Sequence, residues 1–334
     1  LYAILFAKKK AYYFLWKGHH FMKLLDKANV KKIGQADPFI LEANGKFYIY
    51  TTGEDGIYAY YADDLFGEWH YHGMVFTRKD HECFWAPSVI ELDGKFYMYC
   101  SFEFYDDIPD KGGHRQTMFV SVADNPLGPF TDEKQLLHPF SIDSHVVKNE
   151  DGLFIFYSTN TFEGSRIGTY IVVDRLLDPF TVEGKPHTVV VPTLDEDIYR
   201  FDRYKKGQHW HTIEGAFYFR EGDWQYVMYS GNCYEKPTYY IGYARAKTDE
   251  TDLTKIEFHK FPDDDTYSPV MAKNDFEEGT GHHSIIKYKG EYYAIYHARD
   301  YDDYRENVDR RTARICRLHV KDGIITAEQY YDHI

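Results

Sequence analysis

The sequence predicts an all-β chain assembled from five copies of one four-stranded unit. Three observations carry that expectation: a hairpin that recurs five times, the spacing between its copies, and a second pair of strands that follows each copy. The first copy, residues 36 to 51 (ADPFILEANGKFYIYT), reads as an alternating strand, an Asn-Gly turn and a second strand rich in aromatics. That combination is the strongest short-range hairpin signal a sequence offers. The same grammar returns at Trp85 to Ser101, Ile142 to Ser158, Glu214 to Ser230 and His282 to His297. The turn glycines are Gly45, Gly94, Gly152, Gly222 and Gly290, so successive copies lie 49 to 70 residues apart.

A period of this size carried by β-hairpins marks a radial array whose blades need roughly 40 to 50 residues each, so five copies predict a five-bladed β-propeller. After each aromatic hairpin comes a more polar pair of strands, at 57 to 76, 119 to 137 and 170 to 190, with a Gly or Pro turn between them. Each unit is therefore a four-stranded sheet with the aromatic hairpin inside. Residues 1 to 35 show weak periodicity and are expected to cap the ring or close its first blade on its last. Residues 36 to 334 then form a single domain, finished by a hairpin at 311 to 329 around Asp322-Gly323. Two long connections, Glu103 to Gln116 and Pro192 to His211, are expected to wall a pocket, since loops of this length tend to sit over sites.

The 334 residues are 43% hydrophobic and 18% aromatic, ample for a packed core. The net charge of −14 has no compensating basic stripe. A nucleic-acid partner would need dense Lys and Arg against its phosphates and is excluded; a neutral small molecule or glycan fits better. The four cysteines, Cys83, Cys100, Cys233 and Cys316, lack paired metal spacing and read as free structural thiols. There is no apolar run of about 18 residues to span a membrane. The apolar start Leu1 to Ala7 is too short, with its lysines on the wrong side, for a signal peptide. Localisation stays open between cytoplasm and exterior.

Seven to nine residues before each turn glycine, where the first strand of each hairpin begins, stand Asp37, Trp85 with Pro87, Asp143, Glu214 and His282. In a propeller the innermost strands run side by side around a central channel, so equivalent positions meet at one end of it. Singly, each acid is an ordinary turn or edge residue. Their shared register predicts a site. Carboxylates crowded at a channel mouth separate in proton affinity, one staying ionised while another holds its proton. Glycosidic cleavage requires that division of labour.

The ordered set Ala36-Asp37-Pro38, Trp85-Ala86-Pro87, Ile142-Asp143, Ile213-Glu214-Gly215 and Gly279-Thr280-Gly281-His282 resembles glycoside hydrolase family 43 over roughly residues 34 to 325. The resemblance implies a five-bladed propeller that hydrolyses pentose-containing plant polysaccharides with inversion. It implies Asp37 as general base, Glu214 as general acid, and Asp143 as a third acid that orients Glu214 and raises its pKa. The family pattern is usually Glu-Gly-Pro at the acid, where this chain has Ala216. His282 matches a position that faces the channel and helps hold a structural calcium through water, although hard cations prefer oxygen ligands. Arg311 looks like the family's late sugar-binding arginine, with Arg310 adjacent. Trp85 would offer an apolar face to the sugar, and Phe39 would add to that wall. His283, its side chain on the other face of the strand, is placed with the substrate-binding set.

No cofactor is expected for the chemistry itself. The expected partner is arabinan, arabinoxylan or a derived oligosaccharide, with release of α-L-arabinofuranosyl units as the main reading and β-D-xylosidase or dual activity as the alternative. Two further readings stay open: a retaining relative acting on fructosides, whose acid motif Glu82-Cys83 superficially matches, and a propeller that only binds sugar.

Overall fold

The computed structural model describes residues 23–29, 33–104, 114–304, 308 and 310–328. Almost every element is a strand, and the strands form five antiparallel units in chain order. Blade I is Phe39–Ala43, Lys46–Thr51, Ile57–Ala62 and His70–Phe76; blade II is His81–Leu92, Lys95–Phe104, Thr117–Ala123 and Thr131–Gln135. The first three strands of blade III are Ser141–Asn149, Gly152–Thr161 and Gly168–Asp178, with His187–Val190 outermost. Blade IV is Trp210–Glu221, Trp224–Gly231, Tyr240–Lys247 and His259–Lys260; blade V is Glu277–Tyr288, Glu291–Asp300, Thr312–Lys321 and Ile324–Ala327. The first strands pack blade to blade, I on II, II on III, III on IV, IV on V and V back on I, which closes the ring as the repeat predicted. Five apolar clusters fill the body of the propeller; one joins blades I and II around Tyr50, Phe84 and Phe102, another blades IV and V around Met228, Tyr243 and Tyr296. Removal of this apolar surface from water, rather than any one contact, is what holds so regular a ring together.

Blades III and IV are not separate sheets. Gly168 and Thr169 pair in parallel with His211 and Thr212, fusing the two into one sheet. A Cβ on Gly168 would fall 1.8 Å from the His211 carbonyl oxygen, so only glycine permits the seam. Residues 1–22, the bulk of the segment expected to cap the ring, lie outside the described residues. The described part bridges blades I and V. Leu24 donates its N–H to Ala313 and Gln35 to Arg311, while the Gln35 side chain accepts from the Ala313 N–H. Leu24, Leu25 and Ala28 complete a core shared by Ile49 and Tyr60 of blade I and by Ile295 and Ile315 of blade V.

Candidate active site

At equivalent positions of the five innermost-strand segments the backbone turns left-handed: Asp37 (φ 50°), Ala86 (44°), Asp143 (57°), Gly215 (63°) and His282 (40°). The pairing register breaks beside four of these positions, as in a β-bulge. Such a bulge re-aims a side chain that would otherwise lie on a sheet face. Asp and His tolerate the conformation better than most residues, which is one reason those types stand there. The fivefold repeat of this kink delivers Asp37, Asp143 and Glu214 from blades I, III and IV into one recess of about 90 Å³ at the channel mouth, where Trp85, His282 and Arg311 also line the wall.

Asp37 is the most heavily held of the three acids. Thr52 donates its hydroxyl to Oδ2 at 2.5 Å, and Arg311 Nη1 stands 3.4 Å from Oδ1. His297 Nδ1 sits 3.1 Å from the Asp37 backbone nitrogen and 3.2 Å from Oδ1. One ring nitrogen serves only one of these at a time, and in either tautomer it anchors residue 37. His282 Nδ1 lies 3.4 Å from the same oxygen. Burial alone would raise the Asp37 pKa, but His282, Arg311 and His297 together hold the carboxyl well below the usual carboxylate range. His282 and His297 are themselves pushed down by burial, His297 to about 4. The permanent charge of Arg311 is therefore what keeps Asp37 ionised at neutral pH.

Glu214 behaves in the opposite sense. Burial, with the neighbouring Asp37 charge adding to it, raises its pKa to about 7, although the Tyr239 hydroxyl donating to Oε1 at 2.8 Å pulls the other way. Asp143 accepts the Gly215 N–H at 3.2 Å and is raised by burial, then by Glu214 and Asp37. Asp143 and Glu214 thus titrate as a pair that retains a proton near neutrality. One ionised carboxylate and one protonated carboxyl face the same small space, an arrangement suited to general acid and general base work on a single bond.

Trp85 lines the recess and both larger cavities that open from it, of about 790 and 680 Å³, and Arg311 stacks on Tyr234 with its guanidinium 4.0 Å from the ring centre. Arg310 is exposed. Phe39 is absent from the recess wall. Its ring turns into the channel, 6.2 Å from those of His145 and Phe217. Of the two adjacent histidines, His282, expected to face the channel at a metal, lines both the channel cavity and the recess, where it lies against Asp37. His283, expected at the sugar, is buried below the recess, and neither of its ring nitrogens has a hydrogen-bond partner among the described residues. Sequence reasoning missed Thr52, Tyr239 and His297. Tyr239 stacks on His297 at 5.8 Å, so the residue that touches Glu214 rests on the one that anchors Asp37. A Cβ on Gly281 would fall 1.9 Å from the Tyr239 ring, which gives the Gly279-Thr280-Gly281 run its physical reason. A signal for His297 does exist: it occupies the position on the second strand of its hairpin where the other copies have Thr51, Ser101, Ser158 and Ser230, all fully buried.

These electrostatics fix the pH dependence of any reaction that needs Glu214 protonated. We expect kcat/KM to fall tenfold per pH unit above about 7, with no loss at mildly acid pH until Asp37 protonates below the ordinary carboxylate range. Tyr239→Phe removes the hydrogen bond that lowers the Glu214 pKa, so it should move the basic limb to higher pH. A pH series on both proteins checks the expectation; a basic limb that stays in place in the variant contradicts it.

The sequence profile of glycosyl hydrolases family 43 matches residues 28–325. A xylosidase/arabinosidase of Bacteroides ovatus is 27% identical over 331 residues, covering 88% of this chain and 94% of that protein. An extracellular exo-α-(1→5)-L-arabinofuranosidase of Streptomyces avermitilis is 25% identical, over 66% of this chain and 43% of its own length. Among solved structures, a thermostable family-43 glycoside hydrolase superposes with TM-score 0.73 at 27% identity, covering 89% of this chain and 93% of the other. An α-L-arabinofuranosidase from Lactobacillus brevis, 19% identical, has the same fold, with TM-score 0.73 over 92% and 98% of the two chains.

Proposed function

Because the chain belongs to glycosyl hydrolases family 43 and is thus a glycoside hydrolase, we propose that it releases terminal α-L-arabinofuranosyl units from plant cell-wall glycans with inversion of configuration. The observation that carries the mechanism is the opposed titration of Asp37 and Glu214 across one recess. Glu214 gives its proton to the glycosidic oxygen as the bond to the anomeric carbon breaks. Asp37 takes a proton from a water that attacks the opposite face. Asp143 orients the acid side of the site through the Gly215 backbone, and Arg311 both holds Asp37 ionised and points donors at sugar hydroxyls. Burial and the Asp37 charge, rather than Asp143, are the causes that stand first in raising the Glu214 pKa.

The recess is small beside the two cavities it opens into, which favours one terminal pentosyl ring bound at the acids with the rest of the glycan outside. The names of the Bacteroides and Streptomyces relatives favour a pentose, and the first of them carries both sugars, so β-D-xyloside cleavage is the second reading. Assay of p-nitrophenyl α-L-arabinofuranoside and β-D-xyloside, with product analysis on arabinan and arabinoxylan, tests the assignment. We expect free arabinose from chain ends or side chains. Inactivity on both aryl pentosides overturns the proposal.

The chemistry needs no cofactor. A structural calcium in the channel is supported by His283, whose two unpartnered and buried ring nitrogens call for a polar neighbour there. Calcium prefers oxygen, so the imidazole would hold it through water, and the ion would stiffen the ring rather than enter the reaction. We expect millimolar calcium to raise the unfolding temperature of the native chain after chelator treatment, and His283→Ala to abolish the increase. An unchanged unfolding temperature in the native chain removes the ion from the account.

A further inference from the structure

We propose that the arm of the cleft next to Glu214 binds a uronosyl carboxylate, so that the preferred leaving group is an acidic glycan. The inference rests on the assignment of Glu214 as the acid, because the proton donor faces the leaving group. Glu214 lines the larger cavity, of about 790 Å³, and three arginines line that same cavity: Arg115, Arg200 and Arg203. Among the described residues none of the three guanidinium groups pairs with a carboxylate, although the Arg115 backbone N–H donates to Glu103 at 2.8 Å, whereas Arg299 is held by Glu278 at 2.8 Å and Arg314 by Glu277 at 3.0 Å. Those two are neutralised by acids, and Arg245 is spent on the Gly323 carbonyl and two aromatic faces, whereas the three over this arm line an open cavity with their charge unmet among the described residues.

The aromatic side chains show what shape the charged group arrives on. Trp210 lies at the centre, with Phe162 at 5.4 Å and Tyr204 at 5.9 Å. Arg203 stacks over Trp210 with its guanidinium carbon 4.4 Å from the ring centre. Stacking spends the flat face of a guanidinium and leaves its edge donors free, in a fork that matches a carboxylate. Apolar ring faces beside such a fork suit a pyranose, which offers C–H faces and one planar anion. Charge runs against the rest of the molecule here. The chain carries −14 overall; Glu235 lines both cavities, and the one on the other side of Trp85 adds Glu54 and Asp55 against the single arginine Arg311. A neutral glycan would offer these guanidinium groups only hydroxyl acceptors, whereas a carboxylate adds charge pairing and a bidentate fit. An acidic one is steered into that arm and kept out of the other.

The test uses a pentosyl-substituted oligosaccharide bearing a glucuronosyl or galacturonosyl unit on the leaving-group side, and the same compound with its carboxyl reduced to the alcohol. We expect kcat/KM for at least one acidic form to exceed that of its reduced form by ~10-fold, the ratio shrinking as salt screens the arginines. In Arg200→Met, and in the Arg200→Met/Arg203→Met pair, the ratio should collapse toward 1. Titration calorimetry of each pair of compounds into Glu214→Gln gives the same comparison without turnover. Equal values for acidic and reduced forms in both measurements overturn the inference, as does a preference that persists in the arginine variants. Failure to cleave even aryl pentosides instead strikes the hydrolase assignment beneath it.

Discussion

Glu214→Gln is expected to lower kcat on arabino-oligosaccharides by ~10⁴-fold and on p-nitrophenyl arabinofuranoside by ~10²-fold, the range a positioned general acid supplies. The two losses differ because p-nitrophenolate departs with little help from a proton, whereas a sugar alkoxide does not leave without one. A residue that only shaped the pocket would slow both substrates alike. The basic limb near pH 7 should vanish together with the activity, since it belongs to this carboxyl. Folding should survive. Glutamine keeps the shape and still accepts the Tyr239 hydroxyl hydrogen bond, and it removes a buried ionisable group whose charged form burial disfavours. Rates with the two leaving groups, a pH series and an unfolding curve make the check complete. Activity within tenfold of the native chain on oligosaccharides would strip Glu214 of its role.

The architecture was legible in the sequence because turn chemistry and periodicity are local. Asn44-Gly45, Asp93-Gly94 and their counterparts announce hairpins without knowledge of anything distant, and their count gives the number of blades. The three acids were legible for the same reason, as they stand in one register of that repeat. What failed was the direction of individual side chains. Assigning His282 and His283 to opposite faces assumed an unbroken strand with alternating residues. The left-handed turn at His282 and the register breaks around it reset the alternation, so His282 reaches the acids as well as the channel, and His283 lines the channel beside it. Phe39 fails likewise: the kink at Asp37 precedes it, and the ring that an extended strand would put beside the acid drops into the channel. Tyr239 had no local mark at all. It is one of 32 tyrosines, and only the approach of blade V through Gly281 singles it out. The seam between blades III and IV rests on a contact of Gly168 with a residue more than forty positions away, which no window along the chain would show.

Asp37→Asn carries the other large effect, and its signature is the reverse of the first. Asparagine holds no proton-accepting charge, so attack by water should slow by at least ~10³-fold whatever the leaving group, p-nitrophenolate included. A small anionic nucleophile needs no base. Azide should therefore restore turnover of the aryl arabinofuranoside in the variant and yield a glycosyl azide of inverted configuration. Azide should do nothing for the native chain. The substitution also leaves the Arg311 guanidinium, largely buried beside position 37, without the carboxylate it faces at 3.4 Å. In the native chain the depressed pKa of Asp37 adds stability that is present above the unfolded carboxylate value and lost as pH falls through the folded one. The variant should accordingly unfold at a lower temperature than the native chain at pH 7, with the gap closing in acid. Proton NMR of the native chain's first-formed sugar decides the mechanism: retained configuration would place a carboxylate on the sugar as nucleophile, and no azide rescue in the variant with unchanged binding would move the base elsewhere in the recess.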